Sequence, residues 1–347
     1  MKLAIIGTGG MANSHALNFA KIPGVEIVAG VDLDEQRASA YCQKHGIAKA
    51  YTSTEALYSK EQVDAVSIVT PDNSHCPLSL EALAAGKHVL CEKPLATSYS
   101  DAQKMADAAK SAGVINMVNF SYRNSSAIQL AAQWVADGKL GRIRHVQGNY
   151  LQSWLTTNEW GVWSEEPGWL WRLSQAHGSK GVLGDVGVHI LDFATLPVGP
   201  IAEMQAMLPT LDKAEGGKIG DYTLDANDTA ILNVRFANGA AGVITATRFA
   251  TGHLNSVSVS IHGDRGALRI DLDKSYEMLE FCEIQDGKTT PWQSLYTGKT
   301  PNIYERFAKA VETGVQDMPD FARGAEIQRY LDGAEEAAAK QGIVRFS

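Results

Sequence analysis

The chain has 347 residues, of which 45% are hydrophobic and 20% are charged, and its formal net charge at pH 7 is −8. This length favours two domains over one, and the acidic balance argues against a nucleic-acid or anionic-membrane partner. No apolar run approaches the ~18 residues of a membrane span. A strand that begins at Lys2 leaves no room for a signal peptide, so the sequence predicts a cytoplasmic protein.

The cysteines indicate neither a metal site nor a disulfide framework. Cys42, Cys76, Cys91 and Cys282 have no paired spacing. We therefore expect small buried side chains at these positions and no metal ligands.

A glycine-rich loop follows the first apolar strand, residues 2–6, and opens a helix that stops before Pro23-Gly24. In this loop Gly7 allows a tight turn, Gly9 lets the backbone approach a pyrophosphate, and Ala12 permits close helix–strand packing. A second strand, residues 25–31, ends on Asp32, where a carboxylate usually binds the ribose 2′-OH of a dinucleotide. The residues expected to bind the cofactor here are Gly7, Thr8, Gly9, Gly10, Met11 and Asp32.

Asp32 also predicts which dinucleotide is bound. The 2′-phosphate of NADP would face its carboxylate, and neither Leu33 nor Asp34 supplies a neighbouring cation. Arg37 lies within the next helix. We therefore expect NAD to be preferred over NADP.

The rest of the first third alternates strands and helices. The expected helices are residues 35–45, 74–85 and 98–112, and the expected strands are residues 63–70, 88–91 and 114–118. Such alternation predicts right-handed β-α-β units. We therefore expect an α/β fold in which residues 1–122 form a Rossmann domain, a doubly wound parallel sheet that binds a dinucleotide.

Polar residues follow the strands of this sheet at the edge where ligands of open parallel sheets bind. Residues 70–75 contain Thr70, Pro71 and His75, and residues 92–94 contain Glu92 and Lys93. We expect these five residues at the cofactor site. Position alone leaves open whether Lys93 projects a cation into the crevice or is a solvated loop lysine.

The pattern changes after about Tyr122. One helix is expected at residues 126–136, and two more at residues 303–312 and 321–340. Strands are expected at residues 143–151, 202–208, 229–236, 242–248, 256–262, 267–271 and 278–284. Residues 123–347 are therefore predicted to form an α+β domain on a mostly antiparallel sheet. A partner subunit could cover the second face of that sheet.

The stretch of residues 181–192 is apolar apart from a few polar side chains, including Asp185 and His189. If it is helical, these two side chains lie at positions i and i+4 and face the same way. A carboxylate that orients an imidazole is suited to general acid–base catalysis. The alternative is an ordinary ion pair on a helix surface, but two ionisable groups on so apolar a helix favour a cleft or a ligand.

Taken together, these motifs resemble the Gfo/Idh/MocA family of NAD(P)-dependent oxidoreductases, which includes glucose–fructose oxidoreductase and inositol dehydrogenase-like enzymes. The matching stretches are residues 7–12, 70–75, 92–94, 122–123 and 184–189, in the order of the family. The resemblance implies that Lys93, Asp185 and His189 form the catalytic set. It also implies that residues 123–347 form a substrate-binding and oligomerisation domain with a large open sheet, through which homodimers or homotetramers form.

The mechanism implied by the resemblance is hydride transfer between nicotinamide and a secondary alcohol of a sugar, glycoside or cyclic polyol. His189 would act as the base and Lys93 would stabilise the alkoxide. Asp185 would either orient the imidazole or bind a neighbouring hydroxyl.

Further candidate substrate contacts lie beside these stretches. Five of the seven tryptophans lie between residues 154 and 171, where they predict either a sugar-stacking pocket or a subunit contact, and we include Trp163 among the substrate contacts. Tyr122 is another candidate. Arg123 and Arg172 are expected to reach a substrate hydroxyl or carboxylate, or to pair with carboxylates of the protein.

Three functions remain in competition. The first is an NAD-dependent dehydrogenase of a sugar, glycoside or polyol. The second is a glycoside-cleaving enzyme that holds NAD without net redox change, and the third is a sensor that binds NAD and a sugar without catalysis. The presence of Lys93, Asp185 and His189 weighs against the sensor.

Overall fold

The computed structural model describes residues 1–346, which form two compact units. The first unit contains Met1–Ser121 and Pro301–Arg329, and the second contains Tyr122–Thr300 and the residues from Tyr330 on. The structure thus differs from a simple division at residue 122, because residues 301–329 return to the first unit. They do so because Tyr304 and Phe307 are buried against Phe19.

The first unit begins with alternating strands and helices. These are β1 (Lys2–Ile6), α1 (Ala12–Phe19), β2 (Glu26–Val31), α2 (Glu35–His45), β3 (Lys49–Tyr51), α3 (Thr54–Lys60), β4 (Ala65–Ile68), α4 (His75–Ala84), β5 (His88–Cys91), α5 (Tyr99–Ala112) and β6 (Asn116–Val118). The strands form one parallel sheet in the order β3-β2-β1-β4-β5-β6. The predicted Rossmann sheet is confirmed, and its strand order reverses between β1 and β4, where ligands of such sheets bind.

Helix ends in this unit follow from local chemistry. Asp34, Ser53 and Ser98 cap α2, α3 and α5, each accepting a hydrogen bond from a backbone N–H of the first turn. Gly46 and Gly113 end α2 and α5 in the left-handed conformation, with φ of 66° and 64°. These signals explain why the expected bounds of residues 35–45 agree with the structure.

The remaining elements belong to the second unit, apart from α9 and the start of α10, which belong to the first. In chain order they are α6 (Ser126–Ala136), β7 (Ile143–Gln152), α7 (Pro167–Leu170), a π-helical turn (Leu183–Gly187), α8 (Val188–Val198), β8 (Ile201–Met207), β9 (Lys218–Ile219), β10 (Tyr222–Thr223), β11 (Thr229–Phe236), β12 (Ala241–Thr247), β13 (Asn255–Gly263), β14 (Gly266–Asp271), β15 (Met278–Gln285), β16 (Lys288–Thr289), β17 (Gln293–Tyr296), α9 (Ile303–Thr313), α10 (Phe321–Lys340) and β18 (Val344–Arg345). Strands β9 and β10 form a separate antiparallel pair.

The large sheet of the second unit has the order β16-β15-β14-β13-β7-β12-β11-β8-β18, with β17 also paired to β15. Neighbouring strands are antiparallel except β7 and β12, which are parallel. The predicted mostly antiparallel sheet is confirmed. Helix α8 packs on one face, where a Cβ on Gly148 would come within 3.2 Å of Ala194 Cβ. On the other face Met207 and Tyr296 remain 63% and 70% exposed.

Neither a membrane span nor a metal cluster is found in the part of the chain that the structure describes. No helix within residues 1–346 is long and apolar enough to cross a bilayer. No group of three or more His, Cys, Asp or Glu side chains within that range could hold a metal ion. The four cysteines are free, and Cys42, Cys91 and Cys282 are buried.

Candidate active site

The loop between β1 and α1 leaves room for a pyrophosphate. Gly7 has φ of 91°, and a Cβ there would come within 2.6 Å of the carbonyl oxygen of Val69, so only glycine fits. A Cβ on Gly9 or Gly10 would instead stand in open space. Ala12 is fully buried, as close helix–strand packing requires. The loop therefore fits a dinucleotide, whose phosphates would lie over Gly9 and Gly10.

Asp32 lies one residue beyond β2 and is held by its neighbours. Its Oδ2 accepts hydrogen bonds from the amide and the hydroxyl of Thr8, at 3.0 and 2.8 Å. Arg37, in the first turn of α2, binds both oxygens through Nε and Nη2, at 2.9 and 2.5 Å. Burial opposes the charge, but the hydrogen bonds from Arg37, Thr8 and Asp34 hold the pKa of Asp32 well below its usual range. The sequence placed Arg37 in this helix but gave no sign of the pair.

His75 ties together the loops that follow β4 and β5. The side chain is fully buried, with Nδ1 2.8 Å from the carbonyl oxygen of Pro94 and Nε2 2.9 Å from that of Thr70. Two carbonyl acceptors favour a ring that carries a proton on both nitrogens. Burial opposes this charge, but Cys91, Asp72 and the Pro94 carbonyl raise the pKa of His75. His75 is thus buried in the first unit, where its ring holds Thr70 in position. Pro71, the next residue after Thr70, is exposed.

Glu92 fixes the backbone at which Lys93 begins. Its Oε1 lies 2.8 Å from His15 Nε2 and accepts a hydrogen bond of 2.5 Å from Asn119 Nδ2, while its Oε2 accepts one from the amide of Lys93. Burial opposes its charge, but His15, Lys93 and Asn119 lower the pKa of Glu92 to about 2. Glu92 is 7% exposed and positions Lys93, which is half-buried two residues beyond β5. Sequence reasoning missed His15, whose partner lies 77 residues away.

In the second unit, His189 lies against two tyrosines. It is the second residue of α8 and is 8% exposed. The ring of Tyr122 stands edge-on to the imidazole with a centroid separation of 5.0 Å, and the ring of Tyr150 lies at 6.3 Å. The sequence pointed to Tyr122 but not to Tyr150, which lies near the C-terminal end of β7.

A closed set of hydrogen bonds joins these tyrosines to Asn255. The two phenol oxygens are 2.6 Å apart, Tyr150 donates to Asn255 Oδ1 at 2.9 Å, and Asn255 Nδ2 donates to Tyr122 at 3.1 Å. Burial, together with the neighbouring Tyr122 and the charge of Asp185, raises the pKa of Tyr150 well above its usual value. The phenol of Tyr150 is therefore a neutral hydrogen-bonding group near the imidazole of His189.

Asp185 is paired with two arginines. The expected regular helix is here the π-helical turn Leu183–Gly187 that precedes α8, and a Cβ on Gly184 would collide with the side chain of Lys180. Within this turn, Asp185 Oδ1 accepts a hydrogen bond from Arg172 Nη1 at 3.3 Å, and Oδ2 accepts one from Arg248 Nη2 at 3.0 Å. Of the alternatives for Arg172, the structure therefore shows an ion pair within the protein. Arg248 was not among the expected site residues.

Arg123 differs from the expected substrate contact in being enclosed by the protein. Its Nε and Nη2 donate to both oxygens of Asp192, at 2.7 and 2.6 Å, and both side chains are 3% exposed. A guanidinium that is buried and bidentately paired has no surface left for a sugar. Arg123 therefore fulfils the other alternative, a carboxylate partner of the protein.

The tryptophan segment forms a small core of its own. Trp154 is 3% exposed and packs on Trp169 at 5.1 Å, and Trp169 stacks on Trp160 at 6.0 Å. Trp163 is partly buried against the same cluster. Trp171 is the most exposed of the five, at 38%, and the guanidinium of Arg172 lies 4.8 Å from its ring. Trp171 thus presents more of its surface to solvent than Trp163, which stays a predicted substrate contact.

The parallel sheet and the glycine-rich loop after β1 place this protein in the class of dinucleotide-binding oxidoreductases. The family model described as an oxidoreductase family with an NAD-binding Rossmann fold matches residues 1–120, and the model of the GFO/IDH/MocA C-terminal domain matches residues 128–269. The chain therefore belongs to the Gfo/Idh/MocA family.

Several relatives span most of the chain. Levoglucosan dehydrogenase of Pseudarthrobacter phenanthrenivorans is 27% identical over 99% of this chain and 97% of its own. The 1,5-anhydro-D-fructose reductase of Ensifer adhaerens is 31% identical over 76% of this chain and 74% of its own. A solved structure of levoglucosan dehydrogenase in complex with NADH and L-sorbose has a TM-score of 0.86 and 26% identity, covering 100% of this chain and 99% of that one.

Proposed function

We propose that this protein is a dehydrogenase that transfers a hydride between NAD and a secondary alcohol of a sugar, glycoside or cyclic polyol. The observation that carries the proposal is the environment of His189, an imidazole beside two hydrogen-bonded phenols and, within the same unit, the ion-paired Asp185. Such a set binds hydroxyl groups and can accept one proton. The similarity to levoglucosan dehydrogenase and to 1,5-anhydro-D-fructose reductase supports a substrate of this class.

Each side chain has a defined part in the proposed reaction. NAD, when bound, supplies the carbon that accepts the hydride. His189 takes the hydroxyl proton on an imidazole nitrogen. Lys93, held at its backbone by Glu92, donates a hydrogen bond to the same oxygen and stabilises its developing negative charge. Asp185, fixed by Arg172 and Arg248, accepts a hydrogen bond from a neighbouring hydroxyl.

The proposal includes a preference for NAD over NADP. Asp32 places a carboxylate at the end of β2, where the 2′-oxygen of the adenosine ribose lies in Rossmann folds. A 2′-phosphate there is repelled by that charge. Titration of the protein with NADH and NADPH measures the difference directly, and equal affinities would contradict the preference.

A substrate panel tests the reaction class. Monosaccharides, glycosides and cyclic polyols are offered with NAD⁺, NADH formation is followed, and the products are identified. We expect one NADH per ketone formed. Release of sugar and aglycone without accumulating NADH would indicate glycoside cleavage, and binding without any product would indicate a sensor.

We also propose that the protein is cytoplasmic and forms a homodimer or homotetramer through the open face of the large sheet. Exposed Met207 and Tyr296 on that face support burial against a second copy, and four free thiols favour a reducing compartment. Light scattering of the wild type and of Val243→Lys, at the centre of the open face, tests the assembly. A monomeric wild type would contradict it.

A further inference from the structure

The phenols of Tyr122 and Tyr150 and the side-chain amide of Asn255 form a closed hydrogen-bonded triangle. The two phenol oxygens are 2.6 Å apart, the Tyr150 oxygen lies 2.9 Å from Asn255 Oδ1, and Asn255 Nδ2 lies 3.1 Å from the Tyr122 oxygen. Each of the three contacts needs one hydrogen. Because a phenol has a single O–H, the triangle uses the protons of both phenols together with one N–H of the amide.

The direction of the hydrogen bonds in the triangle follows from Trp154. An indole N–H can only donate, so the side-chain carbonyl oxygen of Gln152, 3.1 Å away, accepts from it. The amide nitrogen of Gln152 then donates to Asn255 Oδ1 at 2.8 Å, which leaves Nδ2 of Asn255 to face Tyr122. Tyr122 therefore donates its proton to Tyr150, and Tyr150 donates its own proton to Asn255.

Burial in the second unit holds this arrangement in place. Trp154, Gln152 and Tyr150 are buried, so water competes little for their hydrogen bonds. Tyr122 is only half-buried, and its ring stands edge-on to the imidazole of His189. Tyr122 is thus the phenol that a substrate bound at His189 can reach.

We propose that Tyr122 is a specificity-determining residue that accepts a hydrogen bond from the substrate and has no proton to donate. A free hydroxyl beside the oxidised carbon carries the proton that this contact needs, whereas an ether oxygen, a carbonyl oxygen or a fluorine does not. Tyr150 and Asn255 are positioning residues, because they keep the Tyr122 proton engaged. The inference rests on the proposed function, since it concerns the substrate that His189 deprotonates.

Fluorinated analogues test the direction of this hydrogen bond, because fluorine is a weak acceptor and cannot donate. The parent compound is the fastest substrate of the panel under the proposed function, which includes D-glucose, levoglucosan and myo-inositol. Its deoxy and deoxyfluoro derivatives are prepared at each carbon beside the oxidised one. Their dissociation constants are measured with the enzyme–NADH complex, in which no hydride is transferred and the effect of fluorine on the reaction does not enter.

In the wild type, one of the deoxy derivatives should bind about tenfold or more weakly than the parent compound, because the Tyr122 oxygen loses its donor. The matching fluoro derivative should bind no better than the deoxy compound, within about twofold. A site with a phenol proton to offer would instead recover part of the affinity with fluorine.

Tyr150→Phe removes the acceptor of the Tyr122 proton and releases that proton to the substrate. The affinity ratio of the fluoro to the deoxy derivative should therefore rise by about threefold or more, whereas lost packing alone would weaken both derivatives alike. Tyr58→Phe is the control, because it removes a buried hydroxyl that has no hydrogen-bond partner within residues 1–346, and it should leave the ratio unchanged.

Asn255→Ala is a second variant, at an exposed position, for the case that Tyr150→Phe does not fold. Without the amide, Tyr150 has only the Tyr122 oxygen to donate to, so the Tyr122 proton is again released. The ratio of the fluoro to the deoxy affinity should rise in this variant too.

Three results would overturn the inference: deoxy derivatives that all bind as tightly as the parent compound, fluoro derivatives that all do so, or a ratio that stays constant in both Tyr150→Phe and Asn255→Ala. Each would show that Tyr122 does not act as an acceptor toward the substrate. A wild-type protein that oxidises no member of the panel would instead contradict the proposed function itself.

Discussion

Arg248 and Asp185 form an ion pair in which the arginine is completely buried and the aspartate is 24% exposed. Arg248 follows the last residue of β12, donates through Nη1 to the carbonyl oxygen of Arg172, and lies 5.0 Å from the ring of Trp154. Because its three contacts come from different segments of the second unit, Arg248 holds the Asp185 carboxylate and the tryptophan segment in one arrangement.

Replacing Arg248 should therefore impair substrate binding. We expect Arg248→Met to raise KM and lower kcat/KM by about ten- to a hundredfold, because Asp185 loses its fully buried cationic partner and the remaining pair with Arg172 is partly exposed. Arg248→Lys, which keeps the charge, should recover part of the loss. The control is Arg144→Met, which breaks an exposed pair with Asp264 and should leave both constants unchanged. A wild-type KM in Arg248→Met would show that Asp185 does not bind the substrate.

Lys93→Met should abolish turnover while leaving the fold and most of the NADH affinity in place. Loss of one donor to a developing oxyanion lowers kcat by about a hundredfold or more. Single-turnover kinetics at saturating substrate measures the effect, and NADH titration serves as the control. Wild-type kcat in this variant would make Lys93 a structural residue of the loop after β5.

His189→Ala should remove the pH dependence of alcohol oxidation. In the wild type the rate should rise through the titration range of histidine, since only the neutral imidazole accepts a proton. The variant should lose about 10²- to 10⁴-fold in kcat and show a flat profile over that range. If the rise with pH persists in the variant, the base is a different residue.

Glu92→Gln should destabilise the protein most at neutral pH. The native pKa of about 2 lies below the ordinary value of 4.5, so the stabilising contribution is fully present above about pH 4.5 and is lost as the pH falls toward 2. The shift corresponds to roughly 3 kcal/mol. Thermal unfolding of both proteins should show a Tm difference that narrows below about pH 4. A difference that is constant with pH would show that the carboxylate charge is not its source.

Arg123→Met should act on stability and not on specificity. Breaking a buried pair removes the bidentate cationic partner of Asp192 and costs about 3–5 kcal/mol. The Arg123→Met, Asp192→Leu double variant should regain much of this loss, since it buries no lone charge. Denaturant unfolding measures both. A changed substrate profile with an unchanged free energy of unfolding would indicate that Arg123 contacts the substrate.

Sequence alone predicted the features that depend on neighbouring residues. The glycine-rich loop, the capped helices and the position of Asp32 are encoded within a few residues of each other, so periodicity and motif spacing identify them. The sequence also predicted the mostly antiparallel sheet, because turn dipeptides such as Asn238-Gly239 and Asp286-Gly287 separate several of its strands. Strands of two or three residues, such as β3, β9 and β18, are too short for any periodicity to show.

The features that sequence alone missed depend on distant partners. Arg248 lies 63 residues from Asp185, and His15 lies 77 residues from Glu92, and no local pattern connects either pair. The parallel pairing of β7 with β12 likewise joins two strands that are distant in the sequence. Around Asp185 the sequence predicted a regular helix, whereas the structure has a π-helical turn, which adds a residue to the local turn.

The return of residues 301–329 to the first unit has a consequence for protein synthesis. The amide of Val118, on edge strand β6, donates to the carbonyl oxygen of Pro319, and Phe19 on α1 packs on Tyr304. A ribosome that has made the six parallel strands has therefore not yet made the side chains that complete their core. The core of the nascent nucleotide-binding unit therefore stays incomplete while about half of the chain is synthesised. A chain truncated before residue 301 would keep this incomplete core.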